Sequence, residues 1–354
     1  MEKEKNKTIP EFFAAANSYN GFISYFDDIF KSENFDRIYV IKGGSGTGKS
    51  SLMKRISERF NKDDYSVERI LCSSDPSSLD GVMISSKNGK IAMLDGTSPH
   101  ERDAKIPGAK DEIINLADAL DKRWISGKSD EIISLINQKA KSYRTAYNYL
   151  SIAGKADGFI KSIYAFGFDK YRAKNKAESF LQDIPSGETG EKETRLISSF
   201  SKYGEVRLNT LSKLNSRIIS LSGNEWCTGI FLGTIEEILD YRATHHVSFP
   251  CTLNPTLKDA LYLPQSNLVI TSQSDGEIDS EDLFSLSVVD IDQIKKAKKI
   301  REDALEEAKR WFGVASDMHF RLEKIYGEAM NFDVNEGILE QKATEISIIL
   351  EKER

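Results

Sequence analysis

The sequence predicts an α/β protein of two tandem domains, each a three-layer unit with a mostly parallel sheet and helical extensions. Three observations predict this. The chain has 354 residues, more than one core commonly organises at about 150 residues per domain. Its two halves repeat one another. Within each half, short β-branched runs alternate with stretches of helical period, the order of strands and covering helices in an α/β fold.

The repeat sets the order of elements. Arg37–Gly43 (RIYVIKG) returns 180 residues later as Arg217–Gly223 (RIISLSG). CSSDPSSLDGVMI from Cys72 returns as CTLNPTLKDALYL from Cys251, placing Asp75-Pro76 over Asn254-Pro255. Upstream, Phe12–Phe22 matches Arg195–Glu205, with Gly21 over Gly204. The first half then reads as strand 37–42, helix 49–60 and strands 67–72 and 90–95. The second reads as strand 217–222, helix 229–239 and strands 246–251 and 267–272. Helices are expected over 110–124, where Ile113, Ala117, Leu120 and Trp124 share helical spacing, and over 129–150 and 293–330, with Tyr147 aligned to Tyr326. The charged, turn-rich segment beginning Pro185-Ser-Gly-Glu places a linker at 183–194 between domains at 1–182 and 195–354.

Composition narrows the functional classes. Lys+Arg 49 against Asp+Glu 55 gives a net charge of −6, which does not support nucleic acid as the partner. No apolar run approaches the ~20 residues of a membrane span. The N-terminal MEKEKNKTIPEFF lacks the apolar core of a secretory signal, so a cytoplasmic address is expected. Three cysteines without CxxC or CxxH spacing predict reduced thiols, and four histidines without a His/Cys cluster argue against zinc.

The strongest motif is Gly43-Gly44-Ser45-Gly46-Thr47-Gly48-Lys49-Ser50, a match to GxxxxGK[ST] between a β-branched strand and an apolar-faced helix. Glycines let such a loop turn its N–H groups inward around phosphate oxygens, and the helix N-terminus adds positive character. Gly43 to Ser50, together with Ser51, are therefore the expected nucleotide-binding residues. Lys49 would meet the terminal phosphates and Ser50 would ligate Mg²⁺. Asp95, closing the apolar run Ile91–Leu94, is the expected second magnesium ligand, and Asp95-Gly96 is also a good turn dipeptide. With Gly96 next, no glutamate follows the aspartate. Asp75 and His100 are the expected water-orienting groups; Asp75-Pro76 also suits a turn, His100 a loop, and Asp80 a helix cap or an architectural role.

The second copy lacks this equipment. It reads Gly223-Asn224-Glu225-Trp226, without lysine, with a bulky ring and a carboxylate where phosphate would sit. Asp75 becomes Asn254 and Asp95 becomes Ser272, whereas Asp80 still matches Asp259. Nucleotide binding is expected in the first half alone.

GGSGTGKSSLM, CSSDPSSLDGV, DGTSPH at Asp95–His100 and PGAKDEIINL at Pro107–Leu116 together resemble a family of bacterial P-loop ATPases with two tandem NTPase-like halves. The resemblance runs over nearly the whole chain. It implies ATP binding and hydrolysis, with Asp95, Thr97 and His100 in one distinctive motif and Cys72, Ser73, Ser74 and Asp75 in the other. Such a second half commonly keeps its own GKS loop, and residues 223–230 depart from that.

The expected activity is Mg²⁺-dependent ATP hydrolysis coupled to a protein partner or substrate, in a monomer or an oligomer. The alternatives are a small-molecule kinase and a nucleotide-gated scaffold that does not hydrolyse. Arg102, Arg123 and Arg310 read as solvated charges rather than arginine fingers. Residues 155–176 read as a helical hairpin with core aromatics, and His319 as a packed or surface residue.

Overall fold

A computed structural model describes every residue except 1–7, 183, 185–189, 191, 215, 273–275, 286, 288 and 353–354. The first half runs β1 (Glu11–Phe13), β2 (Ala15–Ser18), β3 (Gly21–Ser24), α1 (Phe26–Ile29), β4 (Arg37–Lys42), α2 (Lys49–Arg59), β5 (Ser66–Leu71) and β6 (Leu79–Ser85). It continues with β7 (Lys90–Asp95), β8 (Asp111–Asn115), α3 (Lys122–Ser126), α4 (Ser129–Phe166) and α5 (Lys170–Leu181). The second runs β9 (Glu193–Thr194), β10 (Ser198–Ser201), β11 (Gly204–Arg207), β12 (Arg217–Ser222), α6 (Glu225–Tyr241), β13 (Val247–Pro250), β14 (Lys258–Leu263), β15 (Leu268–Ser272), β16 (Ile278–Asp279), α7 (Ile291–Glu328) and α8 (Phe332–Glu351).

The chain is α/β, with two six-stranded sheets of matching order: β1-β5-β6-β7-β4-β8 and β9-β13-β14-β15-β12-β16. Ile38, Tyr39, Val40 and Ile41 are fully buried in β4, as a strand covered on both faces requires. β4 lies parallel between β7 and β8, with Ile41 opposite Asp95 and Ile38 opposite Asp111. The sheets are mixed. Each has three parallel and two antiparallel pairings, because β6 and β14 enter as antiparallel strands that the sequence pattern hid. In β6 a Cβ on Gly81 would come 2.9 Å from the ring of Phe30, so the glycine is there for packing.

Residues 110–124 are not the expected helix. Asp111–Asn115 is the edge strand β8, followed by a 3-10 turn at Leu116–Ala119 and the short α3. Ile113 is 49% exposed and Ile114 is buried, so the apparent helical stripe from Ile113 to Trp124 was a coincidence of spacing. Asp80 lies in β6 rather than at a helix cap.

Contacts divide the chain into two compact units. Unit one holds the chain up to Ala14, Phe26–Arg144 and Trp311–Arg354; unit two holds Ala15–Tyr25 and Thr145–Arg310. These differ from contiguous domains at 1–182 and 195–354, because α4 and α7 each contribute to both units. Helical period shows that a face is buried, not which sheet covers it. In unit one α8 packs on α2 and β7; in unit two α5 packs on α6. The expected linker falls largely outside the described residues.

The long helices α4 and α7 are each 38 residues long and match end to end. Their buried positions coincide: Ile132 with Ile294, Leu135 with Ala297, Ala146 with Ala308, Ala153 with Ala315 and Ile160 with Leu322. In this register Tyr326 corresponds to Tyr164, not to Tyr147. Residues 155–176 do form the end of one helix and the start of another, but Phe159, Phe166 and Tyr171 are exposed rather than core.

Candidate functional site

In unit one the loop from Gly43 to Gly48 joins β4 to α2. Gly46 and Gly48 have φ of 76° and 91°, conformations that cost an L-residue with a Cβ about 1–2 kcal/mol. Gly48 is the N-cap of α2, and no side chain caps the helix there. The first N–H groups of α2 are therefore open to an anion. Thr47 is buried and its hydroxyl donates to the Gly44 carbonyl at 2.9 Å, bracing the loop from within. Lys49 folds back over the loop, donating to the carbonyls of Gly43 at 3.0 Å and Gly44 at 2.8 Å. The Ser50 hydroxyl accepts from the N–H of Leu79 at 2.9 Å, and Ser51 is exposed on α2.

The second strand end brings in Asp95. Its Oδ2 lies 3.6 Å from Lys49 Nζ, while Oδ1 accepts from the Thr97 N–H at 2.8 Å and the Thr97 hydroxyl at 2.6 Å. Asp95 ends β7, and Lys49 and Ser50 open α2 beyond the end of the parallel neighbour β4, the side of the sheet where open α/β folds bind ligands. Gly96 has no room for a side chain, since a Cβ would press on Val40 and lie 2.9 Å from the Arg102 carbonyl.

His100 and Asp75 are held by other partners. His100 is stacked on Phe26 with centroids 4.4 Å apart; Nδ1 lies 3.1 Å from the Asp95 carbonyl and Nε2 3.3 Å from Asp80 Oδ2. Burial works against its imidazolium, but the hydrogen bond and charge of Asp80, with the charge of Asp95, outweigh it and raise its pKa above the usual histidine value. Asp75 accepts from the Ser77 N–H at 3.1 Å and hydroxyl at 2.8 Å, and from the Ser78 hydroxyl at 3.3 Å. Asn254 makes the same turn in the second half, accepting from the Thr256 N–H at 3.3 Å and hydroxyl at 2.6 Å. The turn needs a side-chain oxygen there and no charge.

Four residues that the motif did not include lie against the loop. A Cβ on Gly44 would come 2.8 Å from Tyr326, and one on Gly46 would collide with the Glu323 carbonyl. Asn335 donates to the Thr47 carbonyl at 3.0 Å. His319, read as an ordinary helix residue, has Nδ1 3.4 Å from the Ser45 hydroxyl. Lys139, on α4, is half-buried close to Lys49 and Glu323. The sequence signal for these was weak, because they are about 90 to 290 residues from the loop and no motif joins them to it.

Arg102 is a correction: it is 5% exposed rather than a solvated charge, donating to the Ser32 hydroxyl at 3.1 Å with Asp27 at 3.8 Å. Arg123 is exposed, and exposed Arg310 pairs with Glu307. The three thiols are free, and burial raises the pKa of each.

The corresponding loop of unit two is filled by its own side chains. Asn224 caps α6, accepting from the N–H groups of Trp226 and Cys227 at 3.1 Å each. Trp226, 2% exposed, stacks on Tyr164 with centroids 5.9 Å apart and donates Nε1 to Asp157 at 3.2 Å. The helix N-terminus that is open in unit one is thus closed by protein in unit two.

Family models, curated proteins and solved structures return no match to this chain. Among the described residues no group of three or more His, Cys, Asp or Glu is arranged to hold a metal ion by itself. No described helix is long and apolar enough to cross a membrane.

Proposed function

We propose that unit one binds ATP with Mg²⁺ at Gly43–Ser51 and hydrolyses it, and that the chain is a tandem P-loop protein whose second site has been closed. One observation carries the reading: the uncapped N-terminus of α2, reached through positive-φ Gly46 and Gly48, with Lys49 3.6 Å from Asp95 at the strand ends. Uncapped N–H groups and a half-buried ammonium suit a phosphate chain. Ser50 and Asp95 would hold Mg²⁺, which needs few protein oxygens because it keeps phosphate and water ligands. The metal, when bound, neutralises charge on the phosphate oxygens. Lys49 exchanges its carbonyl partners for phosphate, and Asp80, through His100, positions the Asp95 segment. The resemblance to tandem ATPases supports adenine as the base.

A second reading rests on its own observation. Both ring nitrogens of His100 and both carboxylate oxygens of Asp75 have partners, and Gly96 stands where a glutamate would follow Asp95. That arrangement favours a nucleotide-gated scaffold with slow turnover. The deciding experiment is steady-state ADP release with Mg·ATP from wild type and Lys49→Ala, with ATP affinity measured alongside. Lys49→Ala removes charge-assisted contacts worth about 1.5–3 kcal/mol each, so affinity should fall at least tenfold. Turnover lost in the variant supports the ATPase; tight wild-type binding without turnover supports the scaffold. Absence of ATP binding to wild type overturns both.

A further inference from the structure

The matched registers of α4 and α7 make unit two an internal reference for unit one. Lys139 of α4 corresponds to Arg301 of α7, as Leu135 corresponds to Ala297 and Ala146 to Ala308. The strand repeat likewise makes Glu225 of the closed loop the counterpart of Ser45 in the open one. In unit two Arg301 reaches that loop: its guanidinium lies 3.2 Å from Glu225 and 3.2 Å from Asp157, and donates to the Tyr19 hydroxyl at 2.8 Å. Glu225 thus places a carboxylate at the loop, and Arg301 neutralises it.

Unit one keeps the cation but not the loop carboxylate. Ser45 replaces the carboxylate of Glu225, and His319 stands where unit two has Asp157. Among the described residues Lys139 makes no hydrogen bond and no ion pair. It shares a face of α4 with Ile132 and Leu135, which pack on Leu322, Ile325 and Tyr326, and Tyr326 covers Gly44. One turn further on, Tyr143 pairs its hydroxyl with Ser74 at 3.2 Å. Burial and the nearby charge of Lys49 both push the Lys139 ammonium below its ordinary pKa, and Glu323 offsets this only in part. Lys49 has Asp95 at 3.6 Å, whereas Lys139 has no carboxylate in ion-pair contact among the described residues, so of the two ammonium groups it is Lys139 that lacks a bound anion.

We propose that Lys139 is a second phosphate-binding cation, which contacts the phosphate chain of the nucleotide held by Gly43–Ser51 as Arg301 contacts Glu225 in unit two. The inference rests on the nucleotide-binding reading of unit one and adds a residue that its motif does not contain. It also explains the differing chemistry of the copies: the closed site keeps arginine for a permanent carboxylate partner, and the open site keeps lysine, a compact cation whose partner comes and goes.

The test is equilibrium binding of Mg·ATP and Mg·ADP to the full-length wild type, Lys139→Met, Lys139→Arg and Lys49→Ala, with the melting temperature of each variant measured without ligand. Lys139→Met should lose at least tenfold in ATP affinity, bind with a shallower salt dependence, and melt no lower than wild type, because it removes a half-buried ammonium that has no ion pair among the described residues. Lys139→Arg should restore affinity to within a few-fold. Wild-type affinity in Lys139→Met, beside a loss in Lys49→Ala, overturns the proposal and leaves the nucleotide site standing. A Lys139→Met protein that melts well below wild type and is not rescued by arginine assigns the lysine a structural role and overturns it too. A wild type that binds neither nucleotide removes both readings together.

Discussion

Trp226→Ala tests directly the idea that unit two has replaced a ligand with its own side chains. Trp226 is 2% exposed, stacks on Tyr164 and donates to Asp157 at 3.2 Å. Burying a large aromatic removes about 150–250 Å² from water, which at ~25 cal/mol per Å² is about 4–6 kcal/mol. A compact denatured chain lowers that by roughly 10–40%, leaving about 2–5 kcal/mol. Asp157 keeps Arg301 at 3.2 Å and the Asn254 side-chain amide, so it is not stranded by the loss of the indole. The lost hydrogen bond then adds about 0.5–1.5 kcal/mol. The sum is about 3–7 kcal/mol, and its lower part coincides with the ~3–5 kcal/mol typical of aromatic truncation in a core. Trp226→Phe keeps most of the packing and should cost about 1–2 kcal/mol. Urea unfolding followed by far-UV circular dichroism and by tryptophan fluorescence measures both variants and shows whether the two units unfold together. A cost under about 1 kcal/mol for alanine would refute the reasoning, because the ring would then be lying over an empty site rather than filling it.

Two further outcomes follow from unit one. His100 titrates above its unfolded value, so its contribution to stability is complete below pH ~6.5 and is lost as pH rises through the raised native pKa. Urea titrations across pH 6–9 should show that slope in wild type and a flatter one in Asp80→Asn; equal slopes would remove Asp80 as its cause. Gly96→Ala would press a methyl group on Val40 and the Arg102 carbonyl and should destabilise by about 1–3 kcal/mol. Thermal denaturation measures it, and an unchanged melting temperature would show that the Asp95–Arg102 segment yields freely.

Local signals were legible where the physics is local. Ile38–Ile41 read as a buried strand because its β-branched and aromatic residues are continuous, and the segment after it read as a tight glycine loop leading into a helix because only glycine takes φ of 76° and 91° readily. Asp95 read correctly as a strand-terminal carboxylate, and the structure sets it beside Lys49. Residues 110–124 misled because four apolar side chains fell at helical spacing in a segment whose backbone pairs with β4. β6 was missed because Asp80 read as a helix cap or an architectural residue, whereas it lies inside a strand whose Gly81 packs against Phe30. Asp75 and His100 show a different limit: their chemistry suits catalysis, yet the partners that occupy them, Ser77, Ser78, Asp80 and the Asp95 carbonyl, are visible only in three dimensions.

The sequence by itself determined the α/β character, the repeat, the open glycine loop and the loss of that loop in the second copy, since each depends on residue types at short spacing. The tertiary structure alone decided which helices cover which sheet. α7 and α8 lend Glu323, Tyr326 and Asn335 to the loop at Gly43–Gly48, and α4 sets Lys139 within reach of the charges of Lys49 and Glu323. An amphipathic helix carries in its sequence the width of its buried face but not the identity of its partner, because apolar contact is non-directional.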